Sequence, residues 1–209
     1  MRKLILLLAL LGPATALGGA QKYEPLAANV QAALAAAVSD YAAPVGAFDS
    51  EEFRHWLATM SYRLQKRMPD RAARIDFLKT VYYEAVRAKL EPELVLGLIQ
   101  VESAFHKYAV SQAGARGYMQ VMPFWIGLIG NSSHNLFHLR INLRYGCTIL
   151  RHYLEIENGN LFRALGRYNG TLGQAAYPNM VVRAWSTNWK YPPARAATGA
   201  PVTSARLGR

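Results

Sequence analysis

Apolar residues recur at helical spacing over most of the chain from residue 49 onward. Asp49 and Glu52 resemble a capping box at the start of a first helix, which Pro69 ends. The pattern predicts a second helix from about Asp70 to Lys89 and a third over residues 91–105, which begins with a proline that the first turn tolerates. One face of the first helix carries Phe53, Trp56, Leu57, Met60 and Leu64.

Shorter helical stretches follow in the second half of the chain. A short helical piece is predicted at 118–122, where Pro123 ends it, and longer helices at 141–155, 161–168 and 177–189. Residues 26–38 form a further candidate helix, although they lack a wide apolar stripe. Alternating strand patterns are nearly absent, so the sequence predicts a mainly α fold.

The first residues have the form of a secretory signal. A basic start, Met1-Arg2-Lys3, precedes an apolar run over 4–11 and the small-x-small tripeptide Ala14-Thr15-Ala16. The apolar run is well short of the roughly 20 residues that a membrane-spanning helix needs. We therefore expect a signal peptide over 1–18, a periplasmic or secreted protein, and no stable membrane anchor.

Composition divides the remainder of the chain. Residues 19–48 are rich in alanine and are predicted to be a spacer, and residues 49–74 an N-terminal helical extension. The main domain is expected over 75–190. Residues 191–209 mix proline, glycine and arginine, a composition that favours a disordered basic tail.

Charge and cysteine content narrow the class of partner. The net charge of +11 favours anionic polymers, and the predicted export makes nucleic acid an improbable partner. Cys147 is the only cysteine, so no intramolecular disulfide can form and the core must hold the fold. An anionic cell wall remains a partner that fits both the positive net charge and the predicted export.

Glu102 is a charged residue on an apolar helix face. Val95, Leu98 and Ile99 precede it by seven, four and three residues, which places its carboxylate in the buried stripe. Burial and a position in the last helical turn both raise a carboxyl pKa. A carboxyl that keeps its proton near neutral pH is suited to cleaving a glycosidic bond. A structural ion pair is the alternative interpretation.

The chain also offers few partners for this acid. No Asp or Glu lies between Glu102 and Glu155. Ordinary glycosidases use two carboxylates. With one acid, the attacking group would come from the substrate, and the same residue would act first as acid and then as base.

Three segments together resemble a known enzyme family. The run from Glu102 to Pro123, ESAFHKYAVSQAGARGYMQVMP, resembles the central motif of the soluble lytic transglycosylases, glycoside hydrolase family 23. The helix from Asn142 to Leu150 and the element Arg167-Tyr168-Asn169-Gly170 are similar to two further family elements, in the same order. The resemblance covers about residues 75–190.

This resemblance implies a lysozyme-like, mostly helical fold with a substrate cleft. It implies cleavage of the bond between N-acetylmuramic acid and N-acetylglucosamine, release of a 1,6-anhydromuramoyl product, and no cofactor or metal. Glu102 would be the acid and base. The residues implied to bind substrate are Ser111, Gln120, Met122, Tyr168 and Asn169, and those implied to support the site are Ser103 and Asn142.

Two alternatives remain open. A hydrolytic muramidase would use water as the nucleophile, and a non-catalytic wall-binding protein would keep the cleft without the activity. Peptidoglycan glycan strands are the expected partner in each case, and cell-wall or secretion machinery is a further candidate partner.

Overall fold

The computed structural model describes residues 21–39 and 48–191, so the predicted signal peptide and the predicted tail beyond Tyr191 lie outside the described residues. Within these ranges the chain is helical apart from loops, turns and isolated bridges, which confirms the mainly α fold. The helices are α1 (Ala28–Ser39), α2 (Glu51–Leu64), α3 (Arg71–Arg87), α4 (Pro92–Ser103), α5 (Phe124–Ile129), α6 (Leu139–Ile156), α7 (Leu161–Asn169) and α8 (Ala176–Ala184), which continues into a π-helical turn (Trp185–Trp189). None of the helices in the described ranges is both long and apolar enough to span a membrane.

Local capping fixes where several helices begin. Asp70 caps α3 by accepting a hydrogen bond from the Ala73 amide, and Pro92 occupies the first turn of α4, as the sequence predicts. The capping box predicted at Asp49 is wrong by one residue. Ser50 is the residue that caps α2, because its hydroxyl accepts from the amide of Phe53.

The predicted short helix at 118–122 is also wrong. These residues form turns, and Arg116 pairs in antiparallel bridges with both Val110 and Val121. Gly117 and Gln120 have φ angles of +75° and +48°, a region that a right-handed helix cannot include. The helix instead begins after Pro123, as α5, which the sequence pattern did not predict.

Helix α4 lies in the middle of the fold. Its residues from 94 to 99 are all buried, and it packs against α3, α8 and the π-helical turn. Gly97 permits the last of these contacts, since a Cβ at this position would lie 2.8 Å from the backbone nitrogen of Trp185. The acid-bearing end of α4 is therefore held by elements on several sides.

A buried ion pair fixes α6 against α3. Arg144 donates to Glu84 at 2.9 Å, and each side chain is 1% exposed. Arg87 and Arg140 bring further guanidinium nitrogens to 3.4 and 3.6 Å from the same carboxylate. Removing one partner of such a pair would leave a buried charge without compensation and would destabilise the contact between the two helices.

Candidate active site

Glu102 lies in the last turn of α4 and is only 7% exposed, as its place in the apolar stripe predicts. The helix ends one residue later, at Ser103, because Ala104 and Phe105 adopt left-handed φ angles of 48° and 69°. Burial raises the pKa of Glu102 from 4.5 to about 8. The carboxyl therefore holds its proton at neutral pH.

Among the described residues, one hydroxyl donates a hydrogen bond to this carboxyl. Tyr177, in α8, donates a hydrogen bond to Oε1 of Glu102 and offsets part of the pKa rise that burial causes. No charged side chain in the described part of the chain contributes to that shift, which removes the ion-pair alternative there. Sequence reasoning missed Tyr177 because it lies 75 residues along the chain from Glu102 and outside the recognised motifs.

Tyr168 lies beside the acid without being its hydrogen-bond donor. Its buried hydroxyl, on α7, donates to the carbonyl of Met119 at 2.8 Å. Burial raises the pKa of Tyr168 well above its ordinary value, and the charge of Glu102 raises it further. Tyr168 thus joins the loop before Pro123, residues 104–122, to the surroundings of Glu102.

Ser103 connects the end of α4 to the same loop. Its hydroxyl lies 2.7 Å from the carbonyl of Tyr118 and 3.2 Å from that of Ile99, one turn earlier in α4. The shorter contact joins residues 15 positions apart. This geometry suits the supporting role that the sequence resemblance implies.

Asn142 holds the loop from the other side. Its carbonyl oxygen accepts from the amide of Met119, and its amide nitrogen donates to the carbonyls of Arg116 and Leu136, all at 2.8 Å. The side chain is fully buried. Gly117 makes room for it, since a Cβ there would lie 2.4 Å from the Asn142 amide nitrogen.

The side chain of Gln120 is also used within the loop. Its amide nitrogen donates to the carbonyls of Ala109 and Gly117 at 3.1 and 2.9 Å. Ser111 closes the neighbouring turn by accepting from the amide of Ala115 at 3.1 Å. Polar side chains thereby fix a backbone that is neither helix nor sheet.

Met122 and Asn169 complete the set of predicted substrate residues. Met122 is partly buried, and its amide donates to the side chain of Gln21 at 2.9 Å. Asn169 is 4% exposed and accepts from the hydroxyl of Thr171 at 3.1 Å. Among the described residues no hydrogen-bond partner is found for its buried amide nitrogen.

Contacts therefore link most of the predicted residues. Glu102 and Ser103 share the end of α4, and the loop to Met122 reaches them through Tyr118 and, by way of Tyr168, through Met119. Within the described ranges, the side chain of Ser111 bonds the loop itself, through the amide of Ala115, and not Glu102. The described ranges hold no cluster of three or more His, Cys, Asp or Glu side chains arranged to bind a metal ion.

Comparison with known proteins identifies similar sequences. The transglycosylase SLT domain model matches residues 80–181. A stretch of 48 residues is 53% identical to the membrane-bound lytic murein transglycosylase C of Actinobacillus pleuropneumoniae serotype 5b (strain L20), over 23% of this chain and 13% of that protein. The transglycosylase of Enterobacteria phage PRD1 is 29% identical over 116 residues, 52% of this chain and 43% of that protein.

A solved structure is also similar. It is that of an inactive variant of the lytic transglycosylase Slt from Pseudomonas aeruginosa, with a TM-score of 0.41 and 22% identity over 83% of this chain and 33% of that one. The chain thus matches less than half the length of each of these relatives.

Proposed function

Because the chain belongs to the soluble lytic transglycosylase family, we propose that it is an exported enzyme that cleaves peptidoglycan between N-acetylmuramic acid and N-acetylglucosamine. The observation that carries the proposal is the buried Glu102, whose pKa of about 8 keeps it protonated at neutral pH. A carboxyl in this state can act as a general acid.

Glu102 performs the first step by giving its proton to the oxygen that bridges the two sugars. The bond from that oxygen to C1 of the muramoyl unit breaks, and N-acetylglucosamine leaves with the proton on its 4-hydroxyl. Positive charge develops at C1 of the muramoyl ring, as in other glycosidic cleavages. Glu102 is left as an anion in a buried site, which makes it a stronger base than an exposed carboxylate.

The same carboxylate performs the second step. It takes the proton of the muramoyl 6-hydroxyl while that oxygen attacks C1, so a 1,6-anhydro ring forms and no water is added. The attacking group belongs to the same sugar, which gives it a high effective concentration. No other carboxylate among the described residues contributes to the pKa shift of Glu102, in keeping with one acid rather than two.

Tyr177 holds the reacting carboxyl in place during both steps. Its hydroxyl donates to Oε1, which leaves Oε2 for the proton that is transferred. Such a donor also stabilises the carboxylate formed between the two steps. The basic surface, with a net charge of +11, attracts an anionic wall, and the N-terminal sequence supplies the export signal.

Product analysis tests the proposal. Purified peptidoglycan is digested with the protein, and the soluble fragments are weighed by mass spectrometry. The proposal requires muramoyl ends that are lighter by one water than a reducing end. Reducing ends in their place would identify a hydrolytic muramidase, and a folded protein that binds the wall and releases nothing would be a binding protein.

A further inference from the structure

Gln21 is a buried side chain at the start of an exposed segment. It is 4% exposed, whereas Lys22, Tyr23 and Glu24 are all exposed. Residues 21–27 have no helical structure and lead into α1, which packs against α5 and α6. A polar side chain that inserts from a surface segment needs partners inside, and those partners show what the segment does.

The partners are two backbone groups of the family motif. The side-chain oxygen of Gln21, Oε1, accepts from the backbone amide of Met122 at 2.9 Å. Its side-chain nitrogen, Nε2, donates to the backbone carbonyl of Gln120 at 3.2 Å. Between them, Val121 exchanges both of its backbone hydrogen bonds with Arg116. Gln120 and Met122 lie on either side of Val121, and the carbonyl of the one and the amide of the other, which Arg116 does not bind, are the groups that Gln21 occupies.

Tyr168 connects these two backbone groups to the proposed acid. The Gln21 side chain interacts with the hydroxyl of Tyr168, whose pKa also responds to Glu102. The carbonyl of Met119, which accepts from that hydroxyl, is one residue away from Gln120. Gln21 and Glu102 therefore share Tyr168 as a neighbour.

An N-acetylated sugar carries the groups that would replace Gln21. Its acetamido carbonyl and hydroxyls accept from an amide such as that of Met122, and its acetamido N–H and hydroxyls donate to a carbonyl such as that of Gln120. We propose that Gln21 is a built-in competitor of the glycan strand, so that residues 21–24 inhibit the enzyme until the strand displaces them. This proposal rests on the proposed function.

The other contacts of the segment suit a part that can be displaced. Tyr23 places its ring edge-on to Phe124 at 5.7 Å while remaining 60% exposed. Glu24 lies 3.5 Å from Arg167 in a partly exposed ion pair, a kind of contact that stabilises little. Helix α1 stays attached beyond the segment and keeps Gln21 at a high local concentration.

The chain offers a matched control in Gln31. This second glutamine also donates through its side-chain nitrogen to a backbone carbonyl, that of Leu128, at 2.7 Å. It lies in α1 and bonds to α5 rather than to the backbone of Gln120 or Met122. A Gln31→Ala variant therefore loses an amide contact in the same part of the chain without opening the proposed site.

The first test compares variants of the whole exported chain. Gln21→Ala should raise kcat/KM on peptidoglycan several-fold, up to about tenfold, through a lower KM, because two hydrogen bonds no longer compete with substrate. Gln31→Ala should match the parent. An unchanged or lower kcat/KM for Gln21→Ala would overturn the proposal, whereas absence of cleavage by the parent would remove the proposed function itself.

The second test follows displacement without a variant at Gln21. The side-chain amide signals of Gln21 and Gln31 are recorded by NMR in the Glu102→Gln protein as a tetramer of N-acetylglucosamine is added. The Gln21 signals should move to the position of a solvent-exposed amide, while those of Gln31 stay. Gln21 signals that keep their position when the tetramer is bound would contradict the displacement.

Discussion

Replacing Glu102 by glutamine should change how the stability of the protein depends on pH. Burial raises the pKa of this carboxyl from 4.5 to about 8, so the folded state prefers the protonated form. Glutamine has the same shape, stays neutral, and can still accept a hydrogen bond from Tyr177. The variant should therefore behave as a copy of the protonated protein at every pH.

The sign of the effect follows from the two protonation states. Below about pH 4.5 Glu102 is protonated in both the folded and unfolded chains, and the parent and variant differ little. As the pH rises through 8, the unfolded chain is ionised while the folded site resists ionisation, so the parent loses stability. A rise from 4.5 to about 8 corresponds to a loss of about 5 kcal/mol.

Denaturant titrations at several pH values between 4 and 9 measure this loss. The difference in free energy of unfolding between Glu102→Gln and the parent should grow with pH in favour of the variant, by about 3 kcal/mol or more between pH 5 and 8. Glu155→Gln is the control, since it removes an exposed carboxylate paired with Arg151 and should cost less than about 1 kcal/mol. Parallel curves for parent and Glu102→Gln would refute a raised pKa.

Three further substitutions test the surroundings of the acid. Tyr177→Phe removes the donor that lowers the pKa of Glu102, so the fall of activity at alkaline pH should move to higher pH in a rate profile; an unmoved limb would contradict the contact. Asn142→Ala loses three buried hydrogen bonds and should cost about 3 kcal/mol in a denaturant titration, with a cost below 1 kcal/mol as the contrary result. Gly97→Ala should cost about 1–3 kcal/mol because its Cβ would meet the π-helical turn at 2.8 Å. Gly127→Ala, with nothing within 4 Å, is its control and should be neutral or stabilising.

The helices could be predicted where their signals are local. Asp70 and Pro92 mark the starts of α3 and α4 within one turn, and apolar spacing fixes which faces are buried. The burial of Glu102 follows from the same spacing, because the residues three, four and seven before it are apolar. These features depend on neighbours along the chain and need no knowledge of the fold.

The loop before Pro123 could not be predicted in the same way. Its apolar residues suggest a helical turn, but Gln120 adopts a positive φ because its side chain binds the carbonyls of Ala109 and Gly117. Asn142 then fixes the loop from a separate helix. Such long-range hydrogen bonds override local preference, and no spacing in the sequence announces them.

Two residues at the site were missed for a related reason. Tyr177 reaches Glu102 across 75 positions, and Gln21 reaches Gln120 across 99. Each looks ordinary in its own segment, since a tyrosine in an apolar helix and a glutamine in an alanine-rich stretch carry no motif. Only the packing of α8 brings Tyr177 to the acid, and only the packing of the N-terminal segment brings Gln21 to the backbone of Gln120 and Met122.

The most direct test of the central claim is the rate at which the Glu102→Gln protein releases fragments from purified peptidoglycan. The rate should fall at least a hundredfold at neutral pH, in line with the loss of a general acid. Its fold should be retained, since glutamine replaces a carboxyl that is neutral there. A folded variant that releases fragments as fast as the parent would contradict the assignment of Glu102 as the proton donor.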